Sequence, residues 1–519
     1  MQRTTYLFSR VILILIIIIS SVAVFSQQQT DLNYTVSAPR ASSHYFHVEL
    51  FCSHWNSDTV EFKMPKWTPG YYQIMDFAKE VENLKAASTN GNALPILSMN
   101  GNTWRIVHKS NQPFVVSYDV KAEKKFVANS YVDSTHGYII PGNLFLYVNG
   151  HINIPVFVKI IPAPGWNKIV TGLETIHDRA NEFYAPDFDI LYDSPILEGK
   201  LEELPSFTVN QIEHRFIGFD IGEFEKQQFM DDLKKVVEAA VSIIGDIPYK
   251  QYTFIGIGPG RGGIEHLNNT TVSFSGKDLN SAAGKSKMMN FLAHEYFHHY
   301  NVKRIRPFEL GPFDYDRENR TNLLWVSEGL SVYYEYMIVK RAGLVDEQTL
   351  FGDFEHDMNA IENNPGRQYQ SLAQAGYETW SDGPFGKQGA DANKSISYYE
   401  KGPLIGLIFD FAIRHATQNK KSLDDVMRFL YWEYYKKKNR GFTDAEFQQA
   451  CETVAGISLN DEFEYVYTTK EPDYNKYLGY AGLAITFDVD SNGKKKFSIK
   501  KPEKTDELQN AILQAWLTK

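Results

Sequence analysis

Two kinds of apolar spacing divide this chain. From about residue 30 to 210, short runs such as "HYFHVELFC", "TVEFKMPKW", "FVVSYDVKA" and "IPVFVKIIP" are rich in Val, Ile, Phe and Tyr and are separated by Pro, Gly, Asn and Ser. Side chains on a strand alternate between faces, so such runs predict antiparallel β structure of sandwich type. After about 220 the spacing lengthens to that of helices, as in "FMDDLKKVVEAAVSIIGD" and "SLDDVMRFLYWEYYKKK". The second of these opens on a Ser422–Asp425 capping box, and Thr443 with Glu446 repeats the signature before "FQQACETVAG". Two β-like runs around a glycine cluster, "YTFIGIGPGRGGIEHLNNTTVSF", interrupt the helices. The pattern therefore predicts an N-terminal β domain over 27–215 and a mostly helical α+β domain over 216–470. Residues 471–519 follow as a short tail in which "AGLAITFDVDSNGKKKFSIKK" reads as a hairpin turning at Ser491, Asn492 and Gly493, followed by a helix. No internal repeat is present.

The first 26 residues stand apart. Arg3 and Arg10 precede the 15-residue run "VILILIIIISSVAVF", and small or neutral residues lead into "QQQ". This predicts a secretory signal peptide over 1–26, cleaved after Ser26, and a periplasmic or secreted protein with no stable membrane span after cleavage; the run is short of the ~20 residues that a span needs. Removing the two arginines shifts the formal charge from −10 to −12. Such an acidic surface repels phosphate backbones and argues against nucleic acid as a partner. The two cysteines, Cys52 and Cys451, fall in a strand-like and a helix-like segment, so the fold is not built on disulfides.

The densest chemistry lies in "FLAHEYFHHYNVKRIRP", residues 291–307. His294 and His298 are four apart, about 40° around a helix axis, and so share a face; His299 points about 140° from His294. Two imidazoles on one face suit Zn²⁺, and Glu295 is placed to act as general base toward a water beside the metal. With 14 histidines in the chain, chance supplies about 0.02 such H-E-x-x-H matches at ordinary Glu usage. A third ligand is expected downstream. "TNLLWVSEGLSVYYEYMIVKRAG" has helical spacing and carries Glu328, while the rival Glu318 lies in a loop-like segment behind Pro307, Gly311 and Pro312. A helix holds a ligand more rigidly than a loop, which favours Glu328. Glu335, seven residues on, shares its face.

Four ordered pieces, "GGIEH", "HEYFH", "WVSEG" and "YYEKG", resemble the glutamate-type zinc peptidases, the group that includes thermolysin and aminopeptidase N. "MPKWTPGYY", "HEYFHHYNVKRIRP", "LGPFDYDREN" and "NKYLGYAGL" are similar to the glycyl aminopeptidase family within it. The resemblance implies a thermolysin-like catalytic domain behind the β domain, one Zn²⁺ per chain held by His294, His298 and Glu328, and peptide substrates with a free N-terminus and a small first residue such as Gly or Ala. It places Glu265 at the substrate's α-amino group, with His266 as its substrate-binding neighbour, and Tyr399 rather than Tyr398 at the developing oxyanion. The family commonly adds a PDZ domain, for which the 49 residues after Lys470 are too few. Two other readings stand beside this one: an endopeptidase on the same scaffold, and a non-catalytic peptide- or glycan-binding surface protein with a structural zinc. The intact Glu295 weighs against the second, because a closed structural site has no use for a base. Oligomeric state is not legible.

Overall fold

The computed structural model describes residues 31–518, so the segment expected to be a signal peptide lies outside the described residues. The N-terminal unit is a β-sandwich. Its larger sheet has seven strands, with Val156–Ile161, Asp31–Ser37 and Tyr45–Ser53 in the middle and Phe114–Lys121 beside the last of these, and a four-stranded sheet containing Thr59–Lys63 and Thr103–Val107 covers it. Alternation is strict along Asp31–Ser37, where Leu32, Tyr34 and Val36 are buried, and they lie opposite the buried Cys52, Leu50 and Val48 of Tyr45–Ser53. Val60, Phe62 and Ile106 of the second sheet close the same core. One pairing departs from the antiparallel expectation: Asp31–Ser37 runs parallel to Val156–Ile161. The chain leaves and re-enters the sheet between these strands, and run-by-run alternation carries no information on strand direction.

The second unit starts from a sheet whose strands Ile212–Gly218, Gln251–Gly256 and Asn269–Val272 are parallel, with Gly263–Glu265 added antiparallel at the edge. Glu202–Glu203 and Phe207–Val209 also pair with Ile212–Gly218, so this unit takes up the chain upstream of residue 216. Those short strands have the same period as the sandwich strands before them, which hides the change of sheet. The helices Leu330–Arg341 and Glu347–Glu362 pack against Tyr398–Ala416, which is buried along nearly its whole length, while Lys226–Ile244 and Ala282–Phe297 pack on each other and on Leu330–Arg341. Ser422–Asp425 and Thr443–Glu446 both form capping boxes. Cys52 and Cys451 are unpaired and buried, and burial raises both thiols.

The tail is part of the helical core. The hairpin Ala484–Val489/Lys495–Lys500 lies on the helix Glu347–Glu362, whose Glu355 and Asn359 accept from the backbone N–H groups of Ile499 and Phe497 at 2.7 and 2.8 Å. In the last helix, Glu507–Thr518, Trp516 donates from Nε1 to Tyr333 Oη at 3.0 Å. The two large units are joined by the segment around Tyr315. Trp67 donates to the Asp314 carbonyl at 2.9 Å, and Lys63 and Lys66 both pair with Asp316. Burial opposes the Asp316 charge, but hydrogen bonds from Lys63, Asn102 and Lys66 prevail and hold its carboxyl at about 2. Among the described residues no helix is long and apolar enough to cross a membrane.

Candidate active site

Ser281 caps the helix Ala282–Phe297 by accepting from the Gly284 N–H, and His298 closes its C-terminal end. The four-residue spacing brings the rings of His294 and His298 to 4.4 Å between centroids, with their Nε2 atoms 2.9 Å apart. Glu328 Oε2 lies 3.2 Å from the His298 Nε2 and 3.7 Å from that of His294. All three side chains are buried, and their ligand atoms fall within 4.8 Å of one another.

Two devices aim these atoms. The first is a set of partners on the far side of each ring: His294 Nδ1 sits 2.9 Å from Glu335 Oε2, and His298 Nδ1 is 2.6 Å from the Asn301 carbonyl. The Asn301 hydrogen bond assigns the His298 proton to Nδ1, and the Glu335 carboxylate beside His294 Nδ1 favours the same tautomer there, which leaves the Nε2 lone pairs pointing together. The second is the backbone under Glu328. The expected helix begins instead with a widened π turn, Trp325–Gly329, and the Asn301 side-chain amide donates to the carbonyls of Val326 and Ser327 at 2.7 and 3.2 Å. Asn301 thus holds one ring with its own carbonyl and the Glu328 turn with its side chain. π turns cost regular hydrogen bonding and gather at functional sites.

Tyr399 reaches the same point because two glycines let two helices touch. A Cβ on Gly329 would lie 2.6 Å from the Gly402 Cα and 2.8 Å from the Tyr398 carbonyl. At that approach Tyr399 Oη donates to Glu328 Oε2 at 2.9 Å, whereas Tyr398 turns into the core and bonds Thr379 at 3.0 Å. Burial and the Glu328 charge raise the Tyr399 phenol well above its usual value, so it remains a neutral donor.

Glu295 lies against the edge strand. A Cβ on Gly263 would come within 2.5 Å of its carboxyl carbon, so the glycine is what leaves room for it, and Thr270 Oγ1 is 3.4 Å from its Oε2. Burial raises the Glu295 carboxyl, the two imidazoles lower it and neighbouring carboxylates raise it, leaving it at about 7.

Glu265 ends the strand Gly263–Glu265 and is buried, with Oε1 lacking a hydrogen-bond partner. Lys303 Nζ is 3.9 Å from that oxygen and 2.7 Å from Asp193. His266 Nδ1 also meets Asp193, at 3.2 Å, and its buried Nε2 has no partner. Burial would raise Asp193, but Lys303 and His266 hold it at about 2. Glu318 is remote from the cluster and pairs with Arg320 at 2.7 Å. His299 points into a nest of Tyr249, Tyr252, Tyr296 and Tyr300, where burial lowers its pKa.

Residue patterns did not reveal Asn301, Lys303 or Asp193. Asn301 and Lys303 stand inside "HHYNVKR", and a polar residue just past a metal-binding helix is the signal that could have found them. Asp193, in "LYDSP", carries no local signal.

The donor set fits a metal. Burial alone would depress His294, yet Glu328 and Glu335 raise it well above the usual imidazole value, while the imidazoles hold Glu328 well below the carboxylate range against burial. The pocket therefore favours positive charge between two nitrogens and a carboxylate oxygen, the set that suits Zn²⁺.

Comparisons with known proteins agree. The Peptidase M61 N-terminal domain matches residues 33–200 and M61 glycyl aminopeptidase matches 287–405, together more than half of the chain. The structure is similar to that of an aminopeptidase N family protein from Idiomarina loihiensis, with a TM-score of 0.84 and 28% identity over 89% of this chain and 81% of that one. It shares its fold with an M1 zinc metallopeptidase from Deinococcus radiodurans, with a TM-score of 0.51 and 13% identity over 86% of this chain and 96% of that one. Yeast LTA4 hydrolase in complex with bestatin is alike at a TM-score of 0.52 and 14% identity, over 88% of this chain and 71% of that one. No curated protein matches the sequence. A β-rich unit ahead of a helical one, with a His-His-Glu cluster between helices, defines a zinc metallopeptidase. Within that class the chain belongs to the M61 glycyl aminopeptidase family.

Proposed function

We propose that the protein is an exported aminopeptidase that removes N-terminal residues, Gly and Ala in preference, from peptides whose α-amino group is free. His294, His298 and Glu328 hold one Zn²⁺ per chain. Bound there, the metal supplies Lewis acidity toward the scissile carbonyl and toward an attacking water. Glu295 takes the proton of that water and passes it to the leaving amine. Tyr399 turns its O–H from Glu328 toward the carbonyl oxygen as charge grows on it. Glu265 receives the α-ammonium, and His266 packs beside it through Asp193.

The observation that carries this reading is the charge balance around Glu265. Two buried carboxylates, Glu265 and Asp193, share one ammonium, Lys303, which sits closer to Asp193. Glu265 Oε1 is left without a hydrogen bond, a costly state for a buried oxygen unless a donor arrives. The α-ammonium of a peptide is that donor, and it would place the first peptide bond over His294 and His298. An endopeptidase has no use for such an anchor.

Metal analysis of the mature protein and a panel of free aminoacyl anilides test the reading. One zinc per chain and turnover that falls from Gly and Ala to Leu and Phe are expected. A protein that binds zinc but cleaves only internal bonds of long peptides would overturn it.

A further inference from the structure

The loop Trp67–Gln73 leaves the β-sandwich and enters the catalytic unit. Its middle is fixed against Glu265: a Cβ on Gly70 would lie 2.6 Å from Ile264 and 2.9 Å from Glu265 Oε2, and Gly70 has a φ of 86° that favours glycine. Its far end reaches the rim, where a Cβ on Gly383 would meet the Gln73 side-chain amide at 3.0 Å. Between these points Tyr72 is 8% exposed and belongs to the core of the catalytic unit, although it comes from the other unit. Its ring packs edge-on against Trp380 at 6.1 Å, and Trp380 packs against Trp67 at 5.0 Å.

Resting on the aminopeptidase reading, the geometry points to Tyr72 as the residue that limits the side chain of the substrate's first amino acid. Glu265 receives the amino group of that residue, and the His294–His298–Glu328 cluster faces its carbonyl. A single Cα separates the two groups, so the side chain must leave from between Glu265 and Glu328. Tyr72 is brought to this gap by its neighbours: Gly70, two residues before it, lies on Glu265, and its ring packs against Trp380, whose neighbour Thr379 bonds Tyr398 beside Tyr399. The opposite wall is Tyr399 with Phe385 at 5.8 Å between ring centroids, and Phe385 is 74% exposed at the mouth. The opening between Tyr72 and Tyr399 accepts hydrogen or a methyl group and turns away branched or aromatic side chains.

The test is kcat/KM for free Gly, Ala, Leu and Phe anilides with the wild type, Tyr72→Ala and Tyr72→Phe, all zinc-loaded. Tyr72→Ala is expected to raise the Leu-to-Gly ratio by about tenfold or more, as for opening room for a few methylenes. Tyr72→Phe keeps the ring and should keep the wild-type ratio. Should Tyr72→Ala unfold, Tyr72→Leu replaces it, with a smaller rise expected. An unchanged ratio in a folded, zinc-bound Ala or Leu variant overturns the inference, and so does a Tyr72→Phe ratio that moves as far as that of Tyr72→Ala. Failure of the aminopeptidase reading shows separately, as wild-type enzyme that cleaves N-acetylated substrates as fast as free ones.

Discussion

Glu198 offers a test of the fold that is independent of catalysis. It lies in the strand Ile196–Gly199 opposite Gly137, is fully buried, and neither carboxyl oxygen has a hydrogen-bond partner. A Cβ on Gly137 would lie 3.1 Å from Glu198 Oε1 and 3.2 Å from the Phe46 ring, so the carboxyl occupies the space that this glycine leaves. Burial raises it from 4.5 to about 8. Because the folded value is the higher one, the folded state carries one proton more than the unfolded state between those two pH values. Stability therefore falls as pH rises through that window and levels off above about pH 8. A gap of about 3.5 units at 1.36 kcal/mol each sets the full loss at on the order of 5 kcal/mol. Glu198→Gln keeps the shape and removes the titration. Denaturant unfolding of wild type and variant at pH 5, 6.5 and 8 should show a stability difference that moves steadily in favour of the variant. The buried amide adds only an offset that does not depend on pH, so the slope is the readout. Parallel pH profiles for the two proteins would refute the reasoning, since they would mean that Glu198 meets water or a partner in the folded state.

Three further outcomes concern the active site. His298→Ala should lose zinc while His299→Ala keeps it, by metal analysis after dialysis, because only His298 shares the Nε2 convergence with His294. Glu295→Gln should retain zinc and lose turnover by several orders of magnitude in single-turnover assays, since an amide accepts no proton from water. Tyr399→Phe should lower kcat by roughly 10²- to 10³-fold with little change in KM or zinc content, as expected for a donor used in the transition state. Tyr398→Phe, whose hydroxyl bonds Thr379, should leave kcat near the wild-type value.

What could be read from the sequence was whatever is encoded locally. Alternation exposed the sandwich strands, the four-residue spacing put His294 and His298 on one face, and a helical run carried Glu328 toward them. Glu335 was placed on that face by the same periodicity, and its contact with His294 follows from it. The π turn at Trp325–Gly329 was not legible, because it depends on Asn301 from another element accepting the role of a cap for its carbonyls. Strand direction, as in the parallel pair Asp31–Ser37 and Val156–Ile161, is set by the path between strands rather than by residues within them. Lys303, Asp193 and Tyr72 gather around Glu265 from three distant stretches, and no periodicity links such positions.

The anchor role of Glu265 is tested most directly by comparing an alanyl anilide with its N-acetyl form on the wild type and on Glu265→Ala. Acetylation removes the charge that Glu265 is held to bind. The wild type should therefore lose about 100-fold or more in kcat/KM on acetylation, the scale of a buried charge-assisted hydrogen bond. Glu265→Ala should be slow on the free substrate and lose little more on acetylation. Wild-type enzyme that cleaves both forms equally well, or a variant that keeps the full preference for the free amine, would contradict the account.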